Sequence, residues 1–269
     1  MRLRNVWVYG LGLALAATVV GCGGSQGTSS TSGSAASPAG APAGMKVDIA
    51  TAGNVTGSVM VDGAVPKNLA IKMNADPVCI KENSGVQLQE TYVVGSDGKS
   101  LGNVFVYVKD GLGNYVFDTP TDMAHIDQKG CRYHPHVFGV RVGQPIEISN
   151  GDPTLHNIHA LPKDNKEFNT AQPLKNMKIA HTFDKKEVMV PFKCEVHGWM
   201  NSYVGVLDHP YFAVTSDSGK FELKDLPPGT YTIEAWHEKM GTETQSVTLA
   251  AKETKDISFT FKAPAAPAN

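Results

Sequence analysis

The sequence predicts an all-β protein made of Greek-key sandwiches, and three observations carry that prediction. Within residues 46–262 no stretch of ten residues sustains a helical period. Short alternating apolar runs recur instead: Val59 and Val61; Val104, Val106 and Val108; Val140 and Val142; Ile146 and Ile148; Val188, Val190 and Phe192; Tyr231, Ile233 and Ala235; Ile257, Phe259 and Phe261. These runs are bounded by Gly, Pro, Asn or Asp in a chain of 269 residues with 27 Gly and 16 Pro, and 41% hydrophobic residues suffice to bury a core. A formal net charge of −2 gives no basic footprint, so nucleic acid is excluded as a partner.

In chain order, residues 1–21 open with Arg2 and Arg4, continue through an apolar run and end at Val19-Val20-Gly21-Cys22. This is a signal peptide whose ending resembles a bacterial lipobox. The resemblance implies that Cys22 is lipidated and becomes the mature N-terminus; otherwise Cys22 is incidental to an ordinary signal. Residues 22–46 then form a disordered tether, since residues 23–44 hold only Gly, Ser, Thr, Ala, Pro and Gln26. Such a tether has an r.m.s. reach of roughly 25 Å. The expected location is extracytoplasmic, on a bacterial membrane through the lipid anchor. Gly23 after the cysteine favours the outer membrane and periplasm over the inner membrane.

Residues 47–100 supply N-terminal strands, residues 209–262 a small β-sandwich and residues 263–269 a disordered tail. Thr215-Ser-Asp-Ser-Gly-Lys-Phe and Leu226-Pro-Pro-Gly-Thr-Tyr resemble the two turns of the carboxypeptidase regulatory-like (transthyretin-like) family, with Ser216 where the first turn usually carries Asp. That family places a Gly-x-Val strand before both turns, and Thr56-Gly-Ser-Val-Met-Val fits it. The region between is then an insertion into this sandwich or its neighbour. The resemblance implies a structural or docking module with no chemistry of its own.

The chemistry is concentrated in Cys194-Glu-Val-His197-Gly-Trp199-Met200, where a thiolate, an imidazole and a thioether lie within seven residues. These ligand types suit copper. Alternation along Val188, Val190, Phe192 and Cys194 puts the sulfur on the core face at a strand end. A further histidine comes from Asn150-Gly-Asp-Pro-Thr-Leu-His156-Asn157-Ile-His159. His156 shares a face with Ile158 and Ala160, whereas His159 goes with Asn157, so His156 is preferred over His159.

The spacing Cys-x-x-His-x-x-Met, about forty residues after His-Asn-x-His, resembles the cupredoxin family of type 1 blue copper proteins, amicyanin- and plastocyanin-like. The resemblance covers residues 101–208 and includes Val142-Gly-Gln-Pro-Ile-Glu-Ile-Ser-Asn150. It implies one mononuclear copper held by His156, Cys194, His197 and a weak axial Met200, with Asn157 tying the two ligand loops together. Trp199 shields the metal, belongs to a docking patch or simply packs. Zinc seldom takes a methionine. The ligand loop has no second cysteine for a binuclear centre, and no Cys-x-x-Cys-His occurs for a c-type haem.

With Cys22 lipidated and Cys194 on copper, Cys79 is paired with Cys131, a disulfide closing a loop of about fifty residues. The competing reading bonds Cys194 to another cysteine and leaves His197 and Met200 on the surface. His134, His136, His209 and His237 read as turn or interface residues, with metal binding by them, or by His159, left open. The implied role is not enzymatic. It is one-electron transfer between redox partner proteins, such as a cytochrome or a membrane oxidoreductase, through an exposed edge of His197. The alternatives are copper storage or delivery, and a non-redox structural or binding lipoprotein.

Overall fold

The computed structural model describes residues 44–265, so the signal segment, Cys22, nearly all of the tether and the last four residues lie outside the described residues. The chain opens with β1 (Gly53–Asp62), the short helix α1 (Pro77–Glu82) and β2 (Phe105–Asp110). Nine strands follow: β3 (Ala124–Lys129), β4 (Arg132–His134), β5 (Val137–Arg141), β6 (Ile146–Asn150), β7 (His156–Ala160), β8 (Phe168–Gln172), β9 (Lys178–His181), β10 (Glu187–Lys193) and β11 (Asn201–Leu207). The last five are β12 (Phe212–Val214), β13 (Lys220–Leu226), β14 (Gly229–His237), β15 (Gly241–Leu249) and β16 (Thr254–Lys262).

These strands form two sandwiches, one nested in the other. The outer sandwich stacks a sheet of order β13-β1-β16 on one of order β12-β2-β14-β15. Alternation explains its core: β1 turns Val55 and Val59 inward, β16 turns Phe259 and Phe261, and the opposite sheet supplies Val106, Tyr231 and Ile233. The nested sandwich stacks β5-β11-β10-β7-β8 on β4-β3-β6-β9. Its core joins Val140, Ile158, Val190, Phe192 and Val204 from the first sheet to Ile126, Tyr133, Ile146 and Ile148 from the second.

The all-β expectation holds, and the early strand with Gly57 and Val59 pairs with β13 and β16. The boundary expected at residue 101 differs. Strand β2 pairs with β12 and β14, and Val104, Val106 and Val108 pack in the outer core. Alternation marks β2 as half-buried but does not say against which sheet. Residues 164–178 contain β8, paired residue by residue with β7. Helix α1 has six residues, too few for a period to register.

The two sandwiches meet through Phe105 and Tyr107 of β2, Val137 of β5, Leu207 of β11 and the partly buried Phe212 and Trp236. Gly139 and Gly205 stand opposite each other in the parallel β5/β11 pair. A Cβ on Gly205 would lie 2.4 Å from Cζ of Phe105, and one on Gly139 2.4 Å from the Phe212 ring. Only the missing side chains let the aromatic rings lie flat on the nested sheet.

Candidate metal centre

His156 opens β7, and Cys194 follows the last residue of β10, so both stand at the same end of the hydrogen-bonded β7/β10 pair. Between β10 and β11 the loop is closed by Cys194 N–H to the Met200 carbonyl (3.2 Å) and Met200 N–H to the His197 carbonyl (2.9 Å). His197 is thereby carried back over Cys194, donating its backbone N–H to Sγ at 3.4 Å.

The donor atoms converge. His156 Nδ1 and His197 Nδ1 are 3.0 Å apart, and Cys194 Sγ is 3.9 Å from His197 Nδ1. All three residues are buried. Cys194 is the free cysteine of the described residues, and Cys79 is bonded to Cys131 with Cα atoms 5.5 Å apart, as expected. Met200 is buried in the same apolar cluster as Cys194.

Each imidazole is fixed from behind by a carboxylate. His156 Nε2 lies 3.1 Å from Asp152 Oδ2, and His197 Nε2 lies 3.0 Å from Asp76 Oδ2. Asp152 is fully buried and also accepts from the backbone N–H groups of Gly130 and Cys131. Gly130 and Cys131 both have positive φ, as a two-residue primed hairpin turn between β3 and β4 requires. Burial opposes ionisation of Asp152, but its bonds to His156, these amides and Lys129 hold it well below the usual carboxylate range. Asp76 is also lowered, with burial opposing and Thr154, His197 and the Val78 amide prevailing.

In the tautomer that places each proton on Nε2 toward its carboxylate, the two Nδ1 atoms turn lone pairs toward the cluster. Burial opposes protonation of His156, but its bonds to Asp152 and Cys194 raise it above the ordinary value. Beside them the Cys194 thiol is pulled down to about 6: burial raises it, while hydrogen bonds with His156 and His197 outweigh that effect. The donor atoms of His156, Cys194 and His197 all lie within 4.8 Å of one another and could hold a metal ion, and two imidazoles with a thiolate suit copper.

Asn157 links the loops, its Oδ1 accepting from the Glu195 N–H (2.7 Å) and facing Cys194 Sγ (3.3 Å). The Trp199 ring centroid is 5.1 Å from that of His197, and its Nε1 donates to the Cys131 carbonyl at 2.9 Å. His159 stands outside the cluster, bound by Glu195 and Glu167. His134 faces the Lys129 carbonyl, and His136 is held by Glu238 between the two sandwiches. His209 and His237 are buried away from the centre.

One expectation is overturned. The edge of His197 is not exposed: the residue is 2% accessible, because α1 lies over it. Asp76 caps α1 by accepting from the Val78 N–H through Oδ1 and reaches Thr154 and His197 through Oδ2, while Cys79 Sγ sits 3.5 Å from His197 Nε2. Asp76 and Asp152 did not emerge from the sequence. Asp152 had a signal, a carboxylate four residues before His156 in a Gly-Asp-Pro turn. Asp76 had none, lying 121 positions from His197.

Residues 204–262 match the carboxypeptidase regulatory-like domain. That span starts within β11, which pairs with β10 and β5, and leaves out β1 and β2, which the outer sandwich also needs. No curated protein matches the sequence. Among solved structures, a purple cupredoxin from Nitrosopumilus maritimus is similar at 24% identity over 31% of this chain and 98% of its own, with a TM-score of 0.27. A single-residue proline-to-alanine variant of amicyanin in its oxidised state is similar at 20% identity over 39% of this chain and 98% of its own, TM-score 0.28. A copper-containing nitrite reductase from Thermus scotoductus SA-01 is similar at 18% identity and TM-score 0.31. The likeness covers 36% of this chain, which spans only a quarter of the reductase.

Proposed function

We propose that this protein is a lipid-anchored, extracytoplasmic carrier of single electrons that holds one type 1 copper. The observation that carries the reading is the buried convergence of His156 Nδ1, His197 Nδ1 and the Cys194 sulfur, all within 4.8 Å of one another, a ligand set that could hold a metal ion. His156, Cys194 and His197 would hold copper strongly and Met200 weakly, as in the cupredoxins that the ligand spacing resembles. Bound copper would supply a centre that alternates between its +1 and +2 states.

The chain's own residues prepare that step. Asp152 and Asp76 orient the two imidazoles from their Nε2 sides, which favours the tautomer with Nδ1 open to the metal, and Asn157 fixes the approach of Cys194. Burial of all three donors excludes water, so little rearranges when charge changes. Because α1 covers the edge of His197, electrons pass along the half-buried Trp199, whose indole packs on the imidazole. A redox protein on the same membrane is the fitting partner, and the tether keeps the carrier near it. The anchor rests on Cys22 and residues 1–21; no helix of the described residues is long and apolar enough to cross a membrane.

The test is to load the mature chain with copper and record its visible spectrum. A strong thiolate-to-copper band that vanishes in Cys194→Ser is expected, and a colourless protein with stoichiometric copper overturns the reading. Met200 replacement should shift the potential while copper stays bound; loss of binding would overturn the weak axial role.

A further inference from the structure

The imidazole of His197 is gripped from outside the strands of the nested sandwich, by a segment whose Met73 and Cys79 pack in the same core. Its Nε2 meets Asp76 Oδ2 at 3.0 Å, and Asp76 belongs to the 63–104 segment that connects two strands of the outer sandwich, β1 and β2. Three further bonds hold that carboxylate in place. Its Oδ1 caps α1 through the Val78 N–H at 2.8 Å, its Oδ2 accepts from Thr154 Oγ1 at 2.8 Å, and α1 is fastened to the β3/β4 turn by Cys79–Cys131. Thr154 lies in the same turn that leads into His156, so one carboxylate touches both histidine loops.

The geometry points to Asp76 as a positioning residue for the metal centre that sets its preference between Cu(II) and Cu(I); this rests on the copper reading above. A carboxylate accepting the Nε2 proton fixes the tautomer and ring orientation and makes Nδ1 a stronger donor. Its negative charge, part-buried and 3.0 Å from Nε2, favours the more highly charged ion. Asp152 does the same for His156 from within the nested sandwich. The centre therefore has a carboxylate behind each histidine, one from the turn before β7 and one from the segment that joins β1 to β2. Removing the second, Asp76, weakens Cu(II) binding more than Cu(I) binding and raises the reduction potential.

Asp76→Asn separates this role from a structural one, because Asn also caps helices and keeps an acceptor for His197 while losing the charge. In copper-loaded mature protein, Cu(II) and Cu(I) affinities are measured by chelator competition, and the midpoint potential independently. Asp76→Asn should lower the Cu(II)/Cu(I) affinity ratio about tenfold, equivalent to about 59 mV for one electron. Asp76→Glu should recover most of that change. In the metal-free protein, nitrogen NMR should find the His197 proton on Nε2, and Asp76→Ala should lose that preference. A ratio unchanged within twofold in Asp76→Asn, with the thiolate band intact, reduces Asp76 to a helix cap and overturns the inference alone. A wild-type protein with no thiolate band overturns the copper reading, and this inference with it.

Discussion

The ring of Phe105 rests on the bare backbone of Gly205, so the outer sandwich touches the nested one where neither can move apart without exposing an aromatic face. Gly205→Ala would place a methyl 2.4 Å from Cζ of Phe105. The overpacking should destabilise the protein by about 1–3 kcal/mol. Urea unfolding checks this, and an unchanged midpoint would mean that the ring has room to shift. Phe105→Leu in the Gly205→Ala background should recover part of the loss.

Cys79–Cys131 closes a loop with a sequence separation of 52. Replacing both cysteines by serine should remove about 4 kcal/mol in the chain-entropy picture. It should also loosen α1 over His197, so hydrogen exchange at residues 77–82 should accelerate more than in the outer sandwich. Equal acceleration everywhere would show that the bond stabilises without fastening the cover.

Asn157 should matter before any metal binds. Its Oδ1 is the acceptor for the Glu195 N–H, and its Nδ2 donates to Asn169 at 2.7 Å. Asn157→Ala leaves the Glu195 amide unpaired in a part-buried position and should cost about 1–3 kcal/mol in the metal-free protein. With copper, its absorption band should move as well. A variant as stable as the parent would assign the loop tie to other groups.

Acid should weaken the fold through two histidines remote from the metal centre. Burial pushes His209 and His237 down to about 4 from an ordinary 6.5, and each Nε2 has no hydrogen-bond partner among the described residues. Between pH 6.5 and 4 the unfolded chain binds protons that the folded chain refuses, so stability is full above about pH 6.5 and declines as pH falls. Each site accounts for at most about 3 kcal/mol at the acid end. Urea midpoints measured from pH 7.5 to 5 should fall, and less steeply in His209→Gln and His237→Gln. A slope identical to the parent's would remove these residues as the cause.

What the sequence disclosed follows the length scale of each interaction. Cys194 and His197 were legible because a short loop and strand alternation determine which atoms can meet, whereas the link through Asn157 came only from the cupredoxin resemblance. His156 could be separated from His159 because residues of opposite parity face opposite ways, and Glu195 and Glu167 take His159. The allegiance of β2 was not legible: Val106 is equally apolar against either sheet, and the pairing with β14 spans well over a hundred positions. The cover on His197 was hidden for the same reason, and the cupredoxin resemblance suggested an open edge because nothing in a ligand motif describes a segment packed over it.

The nested sandwich enters after β2 and leaves before β12, and these two strands are hydrogen-bonded neighbours. A module hung from one linker swivels; one clamped at both ends by adjacent strands cannot. The cluster of His156, Cys194 and His197 thus keeps a constant bearing to the outer sandwich, so a partner docking on that outer framework would find the candidate metal centre at the same angle and distance in every encounter.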